Sequence, residues 1–242
     1  MSICHLSTQE SKNVVQQVSE TKVSSAFSVD SLSAGGKKIL DKYGSLIGTY
    51  HLIVPESVAA VRIWVENKGN ANSYVSKTGE AGLLQMWPWA RTKYKVTNWA
   101  DPAENLRGGF QMWQDMTTSF IASIAKSTGV TLSYADPGFW AIGQLNTMIG
   151  SGATAALVKA FGSWSGIQAA TYGANADSQL RALRGSFGTQ SAACVAHRIV
   201  AADHMFQAAS QLGLGGGGIL TLALAAVGGY FLMQYLKSRG VF

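Results

Sequence analysis

The C-terminal part of the chain contains the sequence feature that most constrains its fold. No residue from Met205 to Leu236 carries a formal charge, and residues 213–236 (GLGGGGILTLALAAVGGYFLMQYL) are predominantly apolar. About 20 apolar residues are enough for a helix to cross the roughly 30 Å hydrocarbon core of a bilayer. We therefore predict a transmembrane helix at 212–236 and a short basic tail at 237–242, whose positive charges favour a cytoplasmic C-terminus after insertion by a cell. A buried helix of a large soluble core is the alternative.

The composition agrees with a chain that lies partly outside water. Only 13% of its 242 residues are charged, against about 25% in a typical soluble domain. The formal net charge of +6 favours an anionic partner, namely nucleic acid, an anionic membrane surface or an acidic cell-wall polymer. No dense run of Lys and Arg with interleaved aromatic residues is present, so we predict no specific nucleic-acid binding. Cys4 and Cys194 lie at opposite ends of the sequence, and we expect both to be free thiols.

The remaining sequence divides into a polar N-terminal arm and one mainly α domain. Residues 1–36 are rich in Ser, Gln and Thr, and they lack the basic and apolar regions of a secretory signal peptide, so none is expected. Residues 37–211 show helical periodicity that is interrupted by Gly, Asp-Pro and Ser clusters. Helices are predicted at 37–48, from Pro55 to Glu66, and at 102–126, 138–149, 153–172 and 190–211, with weak strand signals at 94–97 and 130–134.

One carboxylate, Glu66, lies where an apolar helix is predicted to end and a glycine-containing loop follows. Because Ile63, Trp64 and Val65 precede it, we expect Glu66 at the rim of an apolar core. Partial burial disfavours the charged form of a carboxyl group and raises its pKa, which allows it to donate a proton near neutral pH. Such a group can act as a general acid. The alternative interpretation is that Glu66, like most glutamates at helix ends, is a solvated surface residue.

Two ordered motifs make the chain similar to the soluble lytic transglycosylases and goose-type lysozymes. In that family an apolar helix ends in Glu-Ser and is followed by Ser-x-x-Gly-Ala-x-Gly-Leu-Met-Gln, a proline and, after a gap, Asp-Pro-x-x-Asn-x-x-x-Gly. The similarity covers roughly residues 45–120 well and continues weakly to about residue 180. The matching residues in this chain are Glu66, Ser76, Gly79, Gly82, Leu83, Leu84, Gln85, Pro88, Asp101, Pro102, Asn105 and Gly109.

The chain departs from the family pattern at several positions. Asn67 stands in place of the usual Ser, Glu80 in place of Ala, and Leu84 in place of Met. The later Ala-Tyr-Asn-Ala-Gly motif is not intact, and only Asn146 is kept from it. These changes leave the acid in place but alter the residues that are expected to contact the sugar.

The resemblance implies a lysozyme-like fold and a peptidoglycan lytic transglycosylase that cleaves the MurNAc-GlcNAc β-1,4 bond. A single Glu acts in that family as acid and then as base while the C6 hydroxyl of the sugar attacks C1, which gives a 1,6-anhydro-muramyl end. In this chain the acid would be Glu66, the partner would be peptidoglycan glycan strands, and no metal or cofactor is implied. The residues expected to bind substrate are Ser76, Gly82, Leu84, Gln85, Asn146 and Tyr172, with Trp87, Trp89 and Tyr94 as stacking or core residues.

The predicted span and the expected lack of a signal peptide suggest where the protein acts. We expect a membrane-anchored bacteriophage virion protein in an internal membrane or ejection apparatus, with other virion proteins as partners, acting at the host cell wall during genome entry. A cellular tail-anchored or exported enzyme is the alternative. Three other functions stay open: a catalytically inactive structural or membrane-channel component on the same fold, an endopeptidase, and a hydrolytic muramidase in which Glu80 is the second carboxylate.

Overall fold

A computed structural model describes residues 28–75, 77–132 and 137–212 of the chain. This described part is mainly α-helical, as predicted, and contains nine α-helices and one small sheet. Strands β1 (Tyr74–Val75) and β2 (Glu80–Ala81) form an antiparallel hairpin, and a 3-10 turn (Arg184–Ser186) precedes the last helix. The helices are α1 (Val29–Tyr50), α2 (Glu56–Asn67), α3 (Pro88–Lys93), α4 (Pro102–Thr128), α5 (Pro137–Ile149), α6 (Ser151–Phe161), α7 (Trp164–Tyr172), α8 (Ala176–Ala182) and α9 (Ala192–Gln211).

The predicted transmembrane helix falls almost entirely outside the described residues. Only Leu212 of the range 212–236 is described, and so the span stays a prediction. Among the described residues, no helix combines the length and the apolar character that are needed to cross a bilayer. Cys4, most of the polar arm and the basic tail also lie outside these residues, whereas Cys194 is buried in α9.

Helix α1 begins at Val29, eight residues before the predicted start at Lys37. The hydroxyl group of Ser28 caps this end by accepting a hydrogen bond from a backbone amide at 3.2 Å. The helix therefore includes residues 29–36, which were predicted as part of the polar arm. Gly35, in the sequence SAGG, allows α1 to pack directly on the indole ring of Trp64. The Ser28 cap and this tertiary contact both support a helix in this segment.

Two further local predictions are corrected. The helix predicted at 153–172 consists of two helices, α6 and α7, because Gly162 adopts a φ of +78° and Ser163 caps the second helix. The segment 94–97 forms no strand, since Lys95 has a φ of +54°, outside the range of extended backbone. The described part of the second strand signal, residues 130–132, also has no regular structure.

Helix α9 organises the core, because it packs against more of the other helices than any of the short helices does. It packs against α1, α2, α5 and α7, while α1 also packs along α2 and against α4. Phe110, Trp113, Phe139 and Trp140 are all buried at the aromatic centre. The Trp113 and Trp140 rings meet edge to face with centroids 5.6 Å apart, an arrangement that aromatic rings favour. This core supports α2, whose last turn presents Glu66 beside the hairpin.

Candidate active site

Glu66 lies in the last turn of α2, at the edge of the core. The helix ends at Asn67, and Lys68 closes it in the left-handed conformation with a φ of +60°. The Glu66 side chain is 28% exposed, so its carboxyl group is partly buried and still reaches the surface. Burial raises the pKa of Glu66 above its ordinary value, because the charged form loses hydration. A carboxyl group that donates a proton near neutral pH needs a shift in this direction.

Arg62 lies one turn before Glu66 on α2 and forms an ion pair with it. Its Nη2 atom is 3.4 Å from Oε1 of Glu66, and this positive charge opposes part of the rise in the Glu66 pKa. The Arg62 side chain is only 7% exposed. Burial lowers the pKa of Arg62, and the charge of Glu66 acts against that change. Arg62 was not among the site residues predicted from the sequence, although its spacing of four residues from Glu66 was the available signal.

A second carboxylate, Glu80 in β2, acts on Glu66 from the hairpin. Its negative charge contributes to the raised pKa of Glu66. Both oxygens of Glu80 are engaged nearby: Oε1 accepts a hydrogen bond from Nε1 of Trp87, and Oε2 accepts one from the hydroxyl group of Thr78 at 3.2 Å. Glu80 is therefore close enough to influence Glu66 while its own carboxylate is held by the loop.

Asn67 connects the end of α2 to the glycine loop. Its side-chain nitrogen donates to the carbonyl groups of Gly82 at 2.6 Å and Leu83 at 3.2 Å. Its side-chain oxygen accepts from the backbone amides of Gly69 at 2.9 Å and Asn70 at 3.0 Å. A serine has one hydroxyl group and cannot replace both ends of this amide. The residue that departs from the family pattern thus fixes the loop against the end of the helix.

The two sequence motifs meet at Asn105, a buried residue of α4. Its Oδ1 accepts from the backbone amide of Leu84 at 2.9 Å, and its Nδ2 donates to the carbonyl group of Ala81 at 3.4 Å. One turn later, Gly109 leaves room for the side chain of Leu84, whose Cβ would lie 2.9 Å from a Cβ at position 109. Asp101 caps α4 through a 2.8 Å hydrogen bond from a backbone amide. The second motif therefore holds the loop of the first motif in place.

Gly82 and Gln85, two of the predicted substrate-binding residues, lie in this loop and make most of their hydrogen bonds within it. Gly82 has a φ of +77°, and its carbonyl group accepts from the side-chain amides of both Asn67 and Gln85. The Nε2 atom of Gln85 is 2.7 Å from that carbonyl oxygen. Within the described residues, the side-chain amide oxygen of Gln85 has no hydrogen bond. This oxygen is therefore able to accept a hydrogen bond from an N–H group of a ligand.

Leu84 and Ser76 were also predicted to bind substrate. Leu84 is 2% exposed, so its side chain offers little surface to a substrate, and its substrate-binding role stays a prediction. The loop turns at Gly82, and Leu83 and Leu84 then point into the apolar core, where burial of their side chains is favourable. Ser76 lies outside the described residues, and its role stays a prediction.

Asn146 has no hydrogen bond to Glu66 among the described residues. It lies on α5 two residues beyond Gln144, or about 200° around the helix axis. Gln144 faces α2 and accepts a hydrogen bond from Nη1 of Arg62, so Asn146 is directed elsewhere. Its Oδ1 atom is buried and has no hydrogen-bond partner in the described part of the chain.

Tyr172 belongs to a separate polar cluster at the end of α7. The residue is 47% exposed, and its hydroxyl group donates to the buried carboxylate of Asp203 at 2.8 Å. Gln168 and Gln207 donate to the same carboxylate at 2.6 Å and 2.8 Å. Burial, and then the hydrogen bond to Asp203, raise the pKa of Tyr172. Among the described residues, no hydrogen bond joins this cluster to Glu66, and its contacts fit a structural role.

Aromatic side chains surround the hairpin and the loop. Tyr74 stacks on Trp99 with ring centroids 5.8 Å apart, and the centroids of Trp87 and Trp89 are 5.9 Å apart. Tyr74 and Trp89 are about half exposed, so their faces are accessible to a sugar ring. Tyr94 is buried and is a core residue.

Comparison with known proteins identifies no match for this chain, whether among family models, curated proteins or solved structures. A function is therefore inferred from the geometry around Glu66 and from the resemblance of the two motifs.

Proposed function

We propose that the protein is a peptidoglycan lytic transglycosylase with a lysozyme-like fold, in which Glu66 is the single catalytic acid and base. The observation that supports this most strongly is the environment of Glu66. Its carboxyl group is partly buried, has a raised pKa, and lies at the end of an apolar helix. The loop beside it is fixed by Asn67 and Asn105.

The reaction begins with Glu66 protonated, the form that burial favours. Its proton passes to the glycosidic oxygen as the bond between that oxygen and C1 of MurNAc breaks, and GlcNAc leaves with a hydroxyl group. The carboxylate of Glu66 then accepts the proton of the C6 hydroxyl group of the same MurNAc, whose oxygen forms the new bond to C1. The product is a 1,6-anhydro-muramyl end, and Glu66 is protonated again.

The surroundings of Glu66 suit a glycan strand. The amide oxygen of Gln85 is an acceptor for the N–H of an N-acetyl group, and the exposed rings of Tyr74 and Trp89 offer faces for sugar rings. The net charge of +6 favours approach to an anionic wall polymer. These contacts make peptidoglycan the substrate class of the proposal.

A hydrolytic muramidase is the second candidate, because the charge of Glu80 acts on Glu66. In an inverting hydrolase the second carboxylate activates a water molecule for attack on C1. Both Glu80 oxygens already accept hydrogen bonds, which favours the single-carboxylate mechanism. The two candidates give products that differ in mass by one water.

We further propose that residues 212–236 anchor the protein in a lipid membrane and that it acts at the host cell wall from a bacteriophage particle, together with other virion proteins. The length and apolar character of that segment support the anchor. The virion location is inferred from the membrane anchor, and it therefore depends on that anchor.

The test is a digest of purified peptidoglycan by the full chain in detergent, followed by mass spectrometry of the released muropeptides. Wild type should release anhydro-muropeptides, and Glu66→Gln should release none. Glu56→Gln, at the other end of the same helix and 39% exposed, is the matched control and should act like wild type.

If wild type releases reducing ends and Glu80→Gln does not, the hydrolase becomes the supported function in place of the transglycosylase. If wild type binds peptidoglycan and releases nothing, the enzymatic proposal fails, and an inactive structural or channel component on the same fold becomes the better account.

A further inference from the structure

A buried arginine lies directly behind the candidate acid. The guanidinium group of Arg62 has three different neighbours, one on α2 and two on other helices. Nη2 is 3.4 Å from Oε1 of Glu66, Nη1 donates to Oε1 of Gln144, and the central carbon lies 4.3 Å from the centre of the Trp113 ring. Its Nε atom is buried and has no hydrogen-bond partner within the described residues.

A charged side chain at this buried position lowers the stability of the fold unless its interactions offset the loss of hydration. Desolvating a guanidinium group is costly, and a buried ion pair seldom stabilises a protein more than an apolar pair of similar volume would. Arg62 nevertheless occupies a core position with its charge matched by one partly exposed carboxylate. The stacking on Trp113 and the bond to Gln144 come from α4 and α5, so three helices fix where the positive charge lies.

We propose that Arg62 is a positioning residue for Glu66: its clamped guanidinium group holds Oε1, which leaves Oε2 as the oxygen that exchanges a proton with substrate. The inference rests on the proposed function for its catalytic meaning. It does not depend on that function for the coupling between the two side chains, which is a property of the folded protein.

In the described part of the chain, two charged groups act on the Glu66 carboxyl group. Arg62 acts from α2 itself and Glu80 acts from β2, with opposite effects. The other neighbours of the guanidinium group, Trp113 and Gln144, are neutral. Removing the charge of Arg62 therefore leaves a partly buried carboxylate beside a like charge and without its counter-ion.

The first test compares wild type with Arg62→Met and Arg62→Lys as full chains in detergent. Loss of an opposite charge at this distance should move the alkaline limb of the pH–rate profile to higher pH by about one unit or more. Because Oε2 is less well placed in Arg62→Met, kcat should fall by about ten- to a hundredfold with KM little changed. Arg62→Lys retains the charge, so its alkaline limb should stay near that of wild type.

The second test needs no activity and no arginine variant. The carboxyl carbon of Glu66, identified in NMR spectra by its loss in Glu66→Gln, gives the titration of the acid directly. In wild type, the guanidinium nitrogen resonances of Arg62 should shift with the same midpoint. In Glu66→Gln this shift should disappear.

The possible outcomes separate the two proposals. If wild type cleaves peptidoglycan and the limb does not move in Arg62→Met, the positioning role is refuted while the proposed function stands. If wild type does not cleave peptidoglycan, the proposed function fails, and the NMR titration still decides the coupling. Guanidinium resonances that do not respond to the Glu66 titration would overturn the inference.

Discussion

Replacing Asn67 by Ala tests whether this side chain fixes the glycine loop beside the candidate acid. The side chain makes four hydrogen bonds of 2.6–3.2 Å, two to the loop and two to the turn after α2. Each contributes about 0.5–1.5 kcal/mol net, so four contribute at most about 6 kcal/mol. Because Asn67 is partly exposed, water can replace some of them, and we expect a loss of about 2–3 kcal/mol.

The measurement is thermal unfolding of the full chain in detergent, monitored by circular dichroism. A loss of this size should lower Tm by about 5–10 °C for a domain of this length. Asn70→Ala is the matched control: it is an exposed residue of the same turn whose side chain accepts one hydrogen bond, from Asn72 at 3.1 Å. Its effect should be within about 0.5 kcal/mol. Equal small shifts for both variants would refute the role assigned to Asn67.

Three other substitutions test the site and its support. Gly82→Ala should destabilise the protein by more than about 1 kcal/mol, because φ is +77° and an added Cβ would overlap the amide of Asn105; an unchanged urea midpoint would contradict this. Leu84→Ala should cost about 2–5 kcal/mol, and Leu84→Met less than about 1.5 kcal/mol, as compared by thermal unfolding; similar losses in both would argue against the buried position. The stability of wild type relative to Glu66→Gln should be constant below about pH 4.5, the ordinary pKa of the group. It should then fall as pH rises through the higher folded-state pKa, because the folded protein binds this proton more tightly than the unfolded chain does. Denaturant titrations at a series of pH values measure that difference, and a rise over the same range would be the contrary result.

The sequence was sufficient for those features that depend on neighbouring residues. The apolar run before Glu66 predicted both the helix and the position of the acid at its end. Asp101 and Pro102 predicted the start of α4, because capping and a proline in the first turn are local properties.

Features that depend on distant residues could not be predicted in this way. Arg62 is held by Gln144, 82 residues further along the chain, and no local pattern joins them. The start of α1 was misplaced because the polar composition of residues 1–36 predicted an arm, whereas Gly35 packs on the distant ring of Trp64. Leu84 was expected at the sugar because of the motif resemblance, and the close approach of Gly109 to its side chain places that side chain in the core.

The most direct test of the account is the mass of the glycan ends that the full chain releases from purified peptidoglycan. The account predicts muropeptides one water lighter than those of a hydrolase, present with wild type and with Glu56→Gln and absent with Glu66→Gln. Anhydro ends that persist in Glu66→Gln would contradict the assignment of the acid. The absence of any released muropeptide from folded wild type would contradict the enzymatic function itself.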